Sequence, residues 1–537
     1  MKRRDFLGST LATGVGIPLI AGASIRPPVL PSSRPPDLQA FELDEATIAS
    51  LQEGMASGRW TSRSITERYL SRIAAVDKAG PTLNSIIELN PDALSIADQL
   101  DRERREGKLR GRGALHGIPV LVKDNLDTGD RMATTAGSLA LSGSTAQRDA
   151  TVVERLRAAG AVLLGKTNLS EWANFRSTTS TSGWSGRGGL TKNPYILDRN
   201  ACGSSSGSGS AAAANLAAIT IGTETDGSIV CPASICGLVG IKPTVGLVSR
   251  AGIIPISATQ DTAGPMCRTV ADAAAVLAAI QGADPRDPAT RAGTEHPLAG
   301  LTLARDALRG ARLGIARQGF ALPSSVEPVL AEAIAALKQE GAVIVDPAEI
   351  PGVAKLGDPE FDVLLYEFKA GIAEYLATRG SAVAMKTLAD LIAFNTNARE
   401  KEMPWFAQEI FERAEKKGGL TTPAYRRALA TCRGLSRGQG IDLVMARHRL
   451  DAIVAVTAGP SWPTDLVNGD RYTGGCSTPA AVAGYPHVTV PGGWVRGLPI
   501  GISFFGKAWS EARLIRFSYA FEQATRQRRP PQFLPTV

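Results

Sequence analysis

Apolar and polar positions along the chain follow two different periods, which predict helices and strands in turn. Residues 61–76 carry apolar side chains at helical spacing behind a capping threonine, whereas 118–122 and 217–221 are short, uninterrupted apolar runs. Such runs are typical of strands that are buried on both faces. The alternation returns at 313–345, where a helix is predicted between two short strands. These patterns predict an α/β protein whose sheet is covered by helices on both faces.

The N-terminus has the order of features expected of an export signal. The basic string Lys2-Arg3-Arg4-Asp5-Phe6-Leu7 precedes a mildly apolar stretch at 11–20 and small residues at 21–23. Because paired arginines followed by Asp-Phe-Leu resemble a twin-arginine signal, we predict a cleavable signal over residues 1–23 and a periplasmic or secreted protein. A basic tail without signal function is the alternative. The apolar stretch is too short for a membrane span, and no stable membrane insertion is expected after the signal is removed.

Composition predicts three segments after the signal: a linker, a folded body and a tail. Residues 24–40 are rich in proline and predict a linker. A folded body is expected over residues 41–527, with a more helical part at about 300–450, and residues 528–537 are expected to form a C-terminal tail.

Overall composition excludes several classes of protein. The chain has 537 residues, of which 44% are hydrophobic and 20% charged, as in ordinary globular proteins. No apolar run of spanning length follows the N-terminus, so a multi-span membrane protein is excluded. The net charge of +8 is dispersed, so no nucleic-acid partner is expected. Six cysteines without a CxxC pair, and four histidines, predict no metal site and mostly free, buried thiols, although an exported protein permits disulfides.

Two short motifs match known active-site strings but lack the necessary context. Residues 160–167 fit the phosphate-binding string GxxxxGK[ST], yet the four middle residues are apolar and predict a buried strand instead of a flexible loop. Residues 203–207 fit the GxSxG elbow of serine hydrolases, but a loop precedes them where an apolar strand is required. His448 or His487 could supply a base, although neither has a recognisable setting. Both matches are interpreted as chance.

A third constellation combines Lys123 at a predicted strand end, a Ser/Gly run at 203–210 and the segment 223–228. A nucleophilic serine needs a group that takes its proton. A lysine can do so only when neutral, and lowering its pKa from about 10.4 to about 7 requires ~4–5 kcal/mol, which burial can supply. Successive backbone amides at 225–228, with Gly227 for unusual backbone angles, could hold an oxyanion. The alternative is a solvated lysine and ordinary Gly/Ser loops.

These strings together resemble the amidase signature family. The similar segments are Gly117-Ile118-Pro119-Val120-Leu121-Val122-Lys123-Asp124-Asn125, Gly165-Lys166-Thr167-Asn168, the stretch from 203 to 244, Val490-Pro491-Gly492-Gly493, and 498–502. They occur in order, and the resemblance covers roughly residues 42–525. It implies one large α/β domain with a central mixed, twisted sheet covered by helices on both faces, and an enzyme that needs no cofactor.

The resemblance also implies roles for individual residues. Ser228 would be the nucleophile, Ser204 a bridging serine held by a cis peptide bond, and Lys123 the base behind it. The family spacing of 24 residues between the two serines selects Ser204 from its run. Backbone amides from Thr225, Asp226, Gly227 and Ser228 would hold the oxyanion. Asn174, in the loop 174–180, is expected by family position to contact substrate.

Departures from the family pattern narrow the expected substrate. Asp226 stands where many members have glycine, and Val230 stands where many have an arginine suited to anionic substrates. A neutral acyl group is therefore favoured, although Arg187 or Arg199 could compensate from a loop. The segments 202–208 and 223–232 are most similar to the bacterial peptide amidases of this family, which release ammonia from C-terminal amides of peptides.

Three alternatives remain open. The chain could hydrolyse other small neutral amides, or it could be the glutaminase subunit of a tRNA-linked amidotransferase. A non-enzymatic amide-binding protein of the cell envelope is the third. The expected partner is a peptide amide or small-molecule amide, and the sequence leaves the oligomeric state open.

Overall fold

Eleven strands hydrogen-bond into one sheet in the computed structural model, which describes residues 40–109 and 111–537. The strands, including a separate two-stranded pair formed by β4 and β5, are β1 (Ile86–Leu89), β2 (Pro119–Lys123), β3 (Val162–Thr167), β4 (Trp184–Ser185), β5 (Gly189–Leu190), β6 (Ile219–Glu224), β7 (Val239–Lys242), β8 (Thr262–Cys267), β9 (Arg312–Ile315), β10 (Val343–Val345), β11 (Ala452–Val456), β12 (His487–Val495) and β13 (Leu498–Phe505).

The order of strands across the sheet is β1-β3-β2-β6-β8-β7-β12-β13-β11-β9-β10. Strands β3, β2 and β6 are parallel neighbours, as are β11, β9 and β10. Antiparallel pairs join the strands between these two groups. The predicted single α/β domain with a mixed sheet is confirmed, and the described residues form one compact unit.

Helices cover the sheet on both faces. Every residue of β2, β3, β6 and β11 is buried, and successive side chains of a strand point to opposite faces. The helices are α1 (Ile48–Ala56), α2 (Ser62–Val76), α3 (Ala93–Arg105), α4 (Thr151–Ala158), α5 (Ser206–Ala213), α6 (Val230–Ile235), α7 (Val270–Ile280), α8 (Thr290–Gly293), α9 (Glu327–Gln339), α10 (Gly357–Thr378), α11 (Leu388–Asn397), α12 (Arg399–Glu402), α13 (Glu409–Glu415), α14 (Pro423–Arg433), α15 (Asp442–His448), α16 (Thr478–Ala483) and α17 (Glu511–Thr525). Across residues 40–109 and 111–537, every helix is too short or too polar to cross a membrane.

Helix α2 illustrates how local sequence sets an element. The Thr61 hydroxyl accepts a hydrogen bond from the Ser64 amide at 3.0 Å, and the Ser64 hydroxyl accepts one from the Thr61 amide at 2.9 Å. This reciprocal cap satisfies two amides that the first helical turn leaves without partners. Ile65, Tyr69 and Ile73 are buried on one face, so the predicted capped amphipathic helix is confirmed.

A second apolar cluster lies among the helices between β10 and β11. Leu365 and Phe368 of α10 pack there with Leu391 of α11 and Phe411 of α13. The region expected to be more helical, at about 300–450, therefore contains α9–α15, and it also supplies β9 and β10 to the sheet.

Two boundaries differ from the sequence-based expectation. Strand β6 continues to Glu224, beyond the apolar run 217–221, because its polar end stays paired with β8. Residues 528–537, expected to form a C-terminal tail, pack against the body of the domain: Arg528 forms an ion pair with Glu45 at 2.8 Å, and Phe533 is 4% exposed. The predicted signal at 1–23 and linker residues 24–39 lie outside the described residues and stay predictions.

Candidate active site

Lys123 is the last residue of β2, and its ammonium-bearing side chain is fully buried. Its Nζ donates hydrogen bonds to Ser204 Oγ at 2.7 Å and to Thr223 Oγ1 at 2.9 Å. Burial lowers the pKa of Lys123 from 10.5 to about 7, although the negative charges of Asp261 and Glu224 act in the opposite direction. A substantial neutral fraction therefore exists near pH 7, and neutral Nζ can accept a proton.

In the Ser/Gly run at 203–210, one hydroxyl contacts this lysine and the others form hydrogen bonds with the backbone. The peptide bond between Gly203 and Ser204 is cis. The other hydroxyls of the run donate to carbonyl oxygens of the chain: Ser205 to Thr223, Ser206 to Cys202, Ser208 to Ile221 and Ser210 to Lys192. In the described run, Ser204 is thus the serine whose hydroxyl meets Lys123.

Ser228 lies in the tight turn between β6 and α6. Gly227 before it has φ of +77°, a conformation that glycine adopts without steric cost. Glu224 Oε2 accepts hydrogen bonds from the Ile229 and Val230 amides at 2.8 and 3.0 Å, which caps the turn that follows Ser228. Ser228 is 9% exposed. No hydrogen bond joins its hydroxyl to that of Ser204 anywhere in the described structure.

The backbone beside Ser228 leaves donors free. In residues 40–109 and 111–537, the amides of Thr225, Asp226, Gly227 and Ser228 donate no hydrogen bond to a protein acceptor. Successive free N–H groups of this kind can stabilise a negatively charged oxygen. The segment thus has the donor pattern that an oxyanion requires.

A disulfide joins the two serine-bearing segments. Cys202, two residues before Ser204, is bonded to Cys231, three residues after Ser228. The expectation of mostly free, buried thiols holds for the other four cysteines, Cys236, Cys267, Cys432 and Cys476. The Cys202–Cys231 pair is a disulfide of the kind that an exported protein permits, and its 29-residue separation along the chain gives no sign that the two sulfurs meet.

A cavity of about 540 Å³ opens beside both serines. Its wall includes Gly203 and Gly227, the residues that precede Ser204 and Ser228, together with the side chains of Asn174 and Asp226. Phe361, Leu364 and Ile410, from the more helical part at about 300–450, and Trp462 supply apolar surface. Asn174 donates to Ser182 Oγ at 3.0 Å.

The two arginines that could have compensated for Val230 do not reach this cavity. Arg187 forms ion pairs with Glu88 and Asp124, and Arg199 pairs with Asp198. Neither belongs to the described lining. That lining carries carboxyl groups and no arginine, which suits an uncharged acyl group.

Several contacts of the site carry no recognisable sequence signal. Asn125 donates to the Thr223 hydroxyl that also meets Lys123. Asp226, which lines the cavity, faces Glu360 of α10; burial and the charge of Asp226 raise the pKa of Glu360 well above the usual carboxyl range. These contacts join residues about a hundred or more positions apart, so no local motif could reveal them.

The motifs set aside as chance matches have structural roles. Lys166 lies in buried strand β3, where Nζ donates to the Leu126 carbonyl at 2.6 Å and to Thr134 Oγ1 at 2.9 Å. His487 is buried in β12 against Ser503, and burial lowers the pKa of His487 to about 3. Lys166 therefore cradles no phosphate, and His487 is not placed as a base for Ser228.

Comparison with known proteins identifies the family. The sequence model of the Amidase family matches residues 64–515. The chain belongs to the amidase family. It is thus a hydrolase that acts on carbon–nitrogen bonds, and the resemblance drawn from its motifs is confirmed.

Individual amidases are similar over nearly the whole chain. The solved peptide amidase of Stenotrophomonas maltophilia is 52% identical, with a TM-score of 0.88 over 92% of this chain and 100% of that one. A probable amidase of Arabidopsis thaliana is 43% identical over 92% of this chain and 93% of its own. A glutamyl-tRNA(Gln) amidotransferase subunit of Chloroflexus aurantiacus is 35% identical, covering 90% and 97%.

Proposed function

We propose that this amidase hydrolyses the C-terminal carboxamide of peptides, using Ser228 as nucleophile, Ser204 as proton relay and Lys123 as base. The observation that carries the proposal is the 2.7 Å hydrogen bond between Ser204 Oγ and the Nζ of a fully buried lysine. Because the pKa of that lysine is about 7, it can receive a proton near neutral pH and return it.

The proposed reaction is an acyl transfer in two halves. Ser228 Oγ attacks the amide carbonyl while its proton passes to Ser204, whose own proton passes to neutral Lys123. The backbone amides of residues 225–228 stabilise the oxyanion. When the carbon–nitrogen bond breaks, the proton returns through Ser204 to the leaving nitrogen, and ammonia departs. Water then cleaves the acyl-enzyme, with the same groups acting in the same order.

The cavity supports the choice of a neutral, extended substrate. A volume of about 540 Å³ exceeds what a carboxamide alone would fill, and Phe361, Leu364 and Ile410 offer apolar contact to the adjoining part of a peptide. The described lining has no arginine for a carboxylate. The similarity to a solved peptide amidase favours the same substrate class.

Ammonia release from an N-protected dipeptide amide tests the proposal. Ser228→Ala is expected to lose almost all turnover and all labelling by a fluorophosphonate, while circular dichroism shows a folded protein. Ser210→Ala is the matched control, since that hydroxyl only contacts the Lys192 carbonyl. Retained turnover in Ser228→Ala would eliminate this nucleophile.

A panel of amides tests the substrate class. Peptide amides are expected to be turned over faster than free amino-acid amides and fatty amides. Faster release of ammonia from glutamine would favour the amidotransferase-type glutaminase instead. Tight binding of a peptide amide, with no turnover and no labelling of Ser228, would favour a non-enzymatic amide-binding protein.

We also propose that the chain is exported in folded form to the periplasm or cell exterior. The basic string at residues 2–7 and the Cys202–Cys231 disulfide, which persists in oxidising compartments, both support export. Replacing Arg3 and Arg4 together by lysine is expected to retain the full chain in the cytoplasm, as measured by cell fractionation. Unchanged export of that variant would contradict the twin-arginine route.

A further inference from the structure

Asp261 is bound to the segment that carries Ser228. It lies immediately before β8, and its Oδ2 accepts hydrogen bonds from the Ile256 and Ser257 amides, each at 2.8 Å. Its Oδ1 accepts a hydrogen bond from Thr225 Oγ1 at 2.6 Å. One carboxylate thus connects the loop that precedes β8 to the residue three positions before Ser228.

A second side chain from the same loop holds the Thr225 backbone. Gln260 Nε2 donates to the Thr225 carbonyl at 3.3 Å and to Glu360 Oε1 at 2.8 Å. Thr225 is therefore held at its hydroxyl by Asp261 and at its carbonyl by Gln260. In the described structure the amides from Thr225 to Ser228 donate to no protein acceptor, so the contacts to Thr225 position them together with the hydrogen bonds that the Gly227 and Ser228 carbonyls accept.

Asp261 also acts on Lys123 electrostatically. Its negative charge raises the pKa of Lys123, and it has the largest effect of any charged group on that lysine. Burial raises the pKa of Asp261 itself to about 6. The other charged groups around this pair are Glu224 at the end of β6, Arg250 in the preceding loop, and Glu367 of α10, which accepts a hydrogen bond from Ser257.

A second cavity gives solvent a route to this carboxylate. Asp261 lines a space of about 810 Å³ whose other walls include Arg250, Asp287 and Glu374. Among the residues that the structure describes, none of these four lines the cavity beside Ser228. The Asp261 carboxylate can therefore exchange a proton without passing through the substrate cavity.

We propose that Asp261 is a positioning residue of the amidase reaction, which fixes the backbone amides of residues 225–228 through Thr225 and sets the electrostatic field at Lys123. The inference rests on the proposed roles of Ser228 and Lys123. It assigns Asp261 two separable effects, one on geometry through a hydrogen bond and one on proton affinity through charge.

Two substitutions separate these effects. Thr225→Val removes the hydroxyl but keeps the Asp261 carboxyl group, so kcat for a peptide amide is expected to fall by about 10- to 100-fold with KM changed less than about threefold. Because the lost hydrogen bond also lowers the pKa of Asp261 in the wild type, the acidic limb of kcat/KM should move to lower pH by less than in Asp261→Asn. Thr225→Ser restores a hydroxyl and is expected to recover most of kcat.

Asp261→Asn removes the charge. Because that charge raises the pKa of Lys123, its loss is expected to move the acidic limb of the kcat/KM profile to lower pH by at least about half a unit. Thr151→Val is the matched control for Thr225→Val, because it removes a threonine hydroxyl that contacts a different aspartate, Asp284. It should lose stability and keep kcat.

The outcomes distinguish this inference from the proposed function. Wild-type kcat in Thr225→Val, or an acidic limb in Asp261→Asn that stays in place or moves to higher pH, would overturn the role of Asp261. If Ser228→Ala remains active, the proposed nucleophile fails whatever the Asp261 variants do. If Asp261→Asn loses both kcat and the circular dichroism spectrum of the folded protein, Asp261 has a role in stability, and the inference is overturned as well.

Discussion

Replacing Lys123 with methionine should abolish activity and stabilise the protein at neutral pH. The structure holds this amine at a pKa of about 7 instead of 10.5, and it does so chiefly by burial. At about 1.36 kcal/mol per unit, the wild type loses up to ~5 kcal/mol of stability at pH 7 and below through this one group. Methionine has a similar length and no charge to desolvate.

Lost hydrogen bonds offset part of that gain. Nζ donates to Ser204 and Thr223, and methionine leaves both hydroxyls without this partner. At about 1–2 kcal/mol for each contact, the net gain at pH 7 is expected to be about 1–3 kcal/mol. A gain of this size raises the urea midpoint measurably while ammonia release disappears.

The pH dependence provides the decisive measurement. Between about pH 7 and pH 10.5 the unfolded chain keeps a proton on Lys123 that the folded chain has released, so wild-type stability rises with pH in this window. The advantage of Lys123→Met is therefore largest at pH 7 and below, and it should shrink by about 1.4 kcal/mol per pH unit above pH 7.

Urea unfolding of both proteins at pH 7, 8 and 9 measures this difference. Lys338→Met, on the exposed face of α9, is the control for removing one lysine. An advantage that stays constant from pH 7 to 9 would refute the reasoning, because Lys123 would then not titrate in that window. Wild-type turnover by Lys123→Met would refute its assignment as the base.

Three further predictions concern the surrounding structure. Ser204→Ala is expected to lower kcat at least ~1,000-fold with an unchanged circular dichroism spectrum; a loss below tenfold would contradict the relay. Replacing Cys202 and Cys231 by serine should cost about 2–4 kcal/mol in urea unfolding, and dithiothreitol should destabilise the wild type but not the variant. Arg379→Ala leaves the buried carboxylate of Asp127 without its ion-pair partner and should cost about 3–5 kcal/mol in thermal unfolding, whereas a loss under 1 kcal/mol would contradict this pairing.

Elements built from strong local patterns could be predicted from the sequence. The capped helix after Thr61 and the strand before Lys123 were predictable because capping residues and uninterrupted apolar runs act over a few positions. The polar end of β6 was not, because Thr223 contacts Lys123, which lies 100 positions earlier in the chain, and Glu224 accepts hydrogen bonds from the turn that follows it. Apolar periodicity does not record such contacts.

The candidate site likewise combines residues that local motifs reveal with contacts that only the fold creates. Motif order and spacing were sufficient to select Lys123, Ser204 and Ser228 as candidates, because each lies in a short segment whose residue types serve one chemistry. Sequence alone therefore determined the family, the α/β class and the residues to test. Only the tertiary structure decided that Cys202 meets Cys231 and that Asp261 holds Thr225. Burial and hydrogen bonding between remote segments set these contacts and the pKa of Lys123, and both depend on the whole fold.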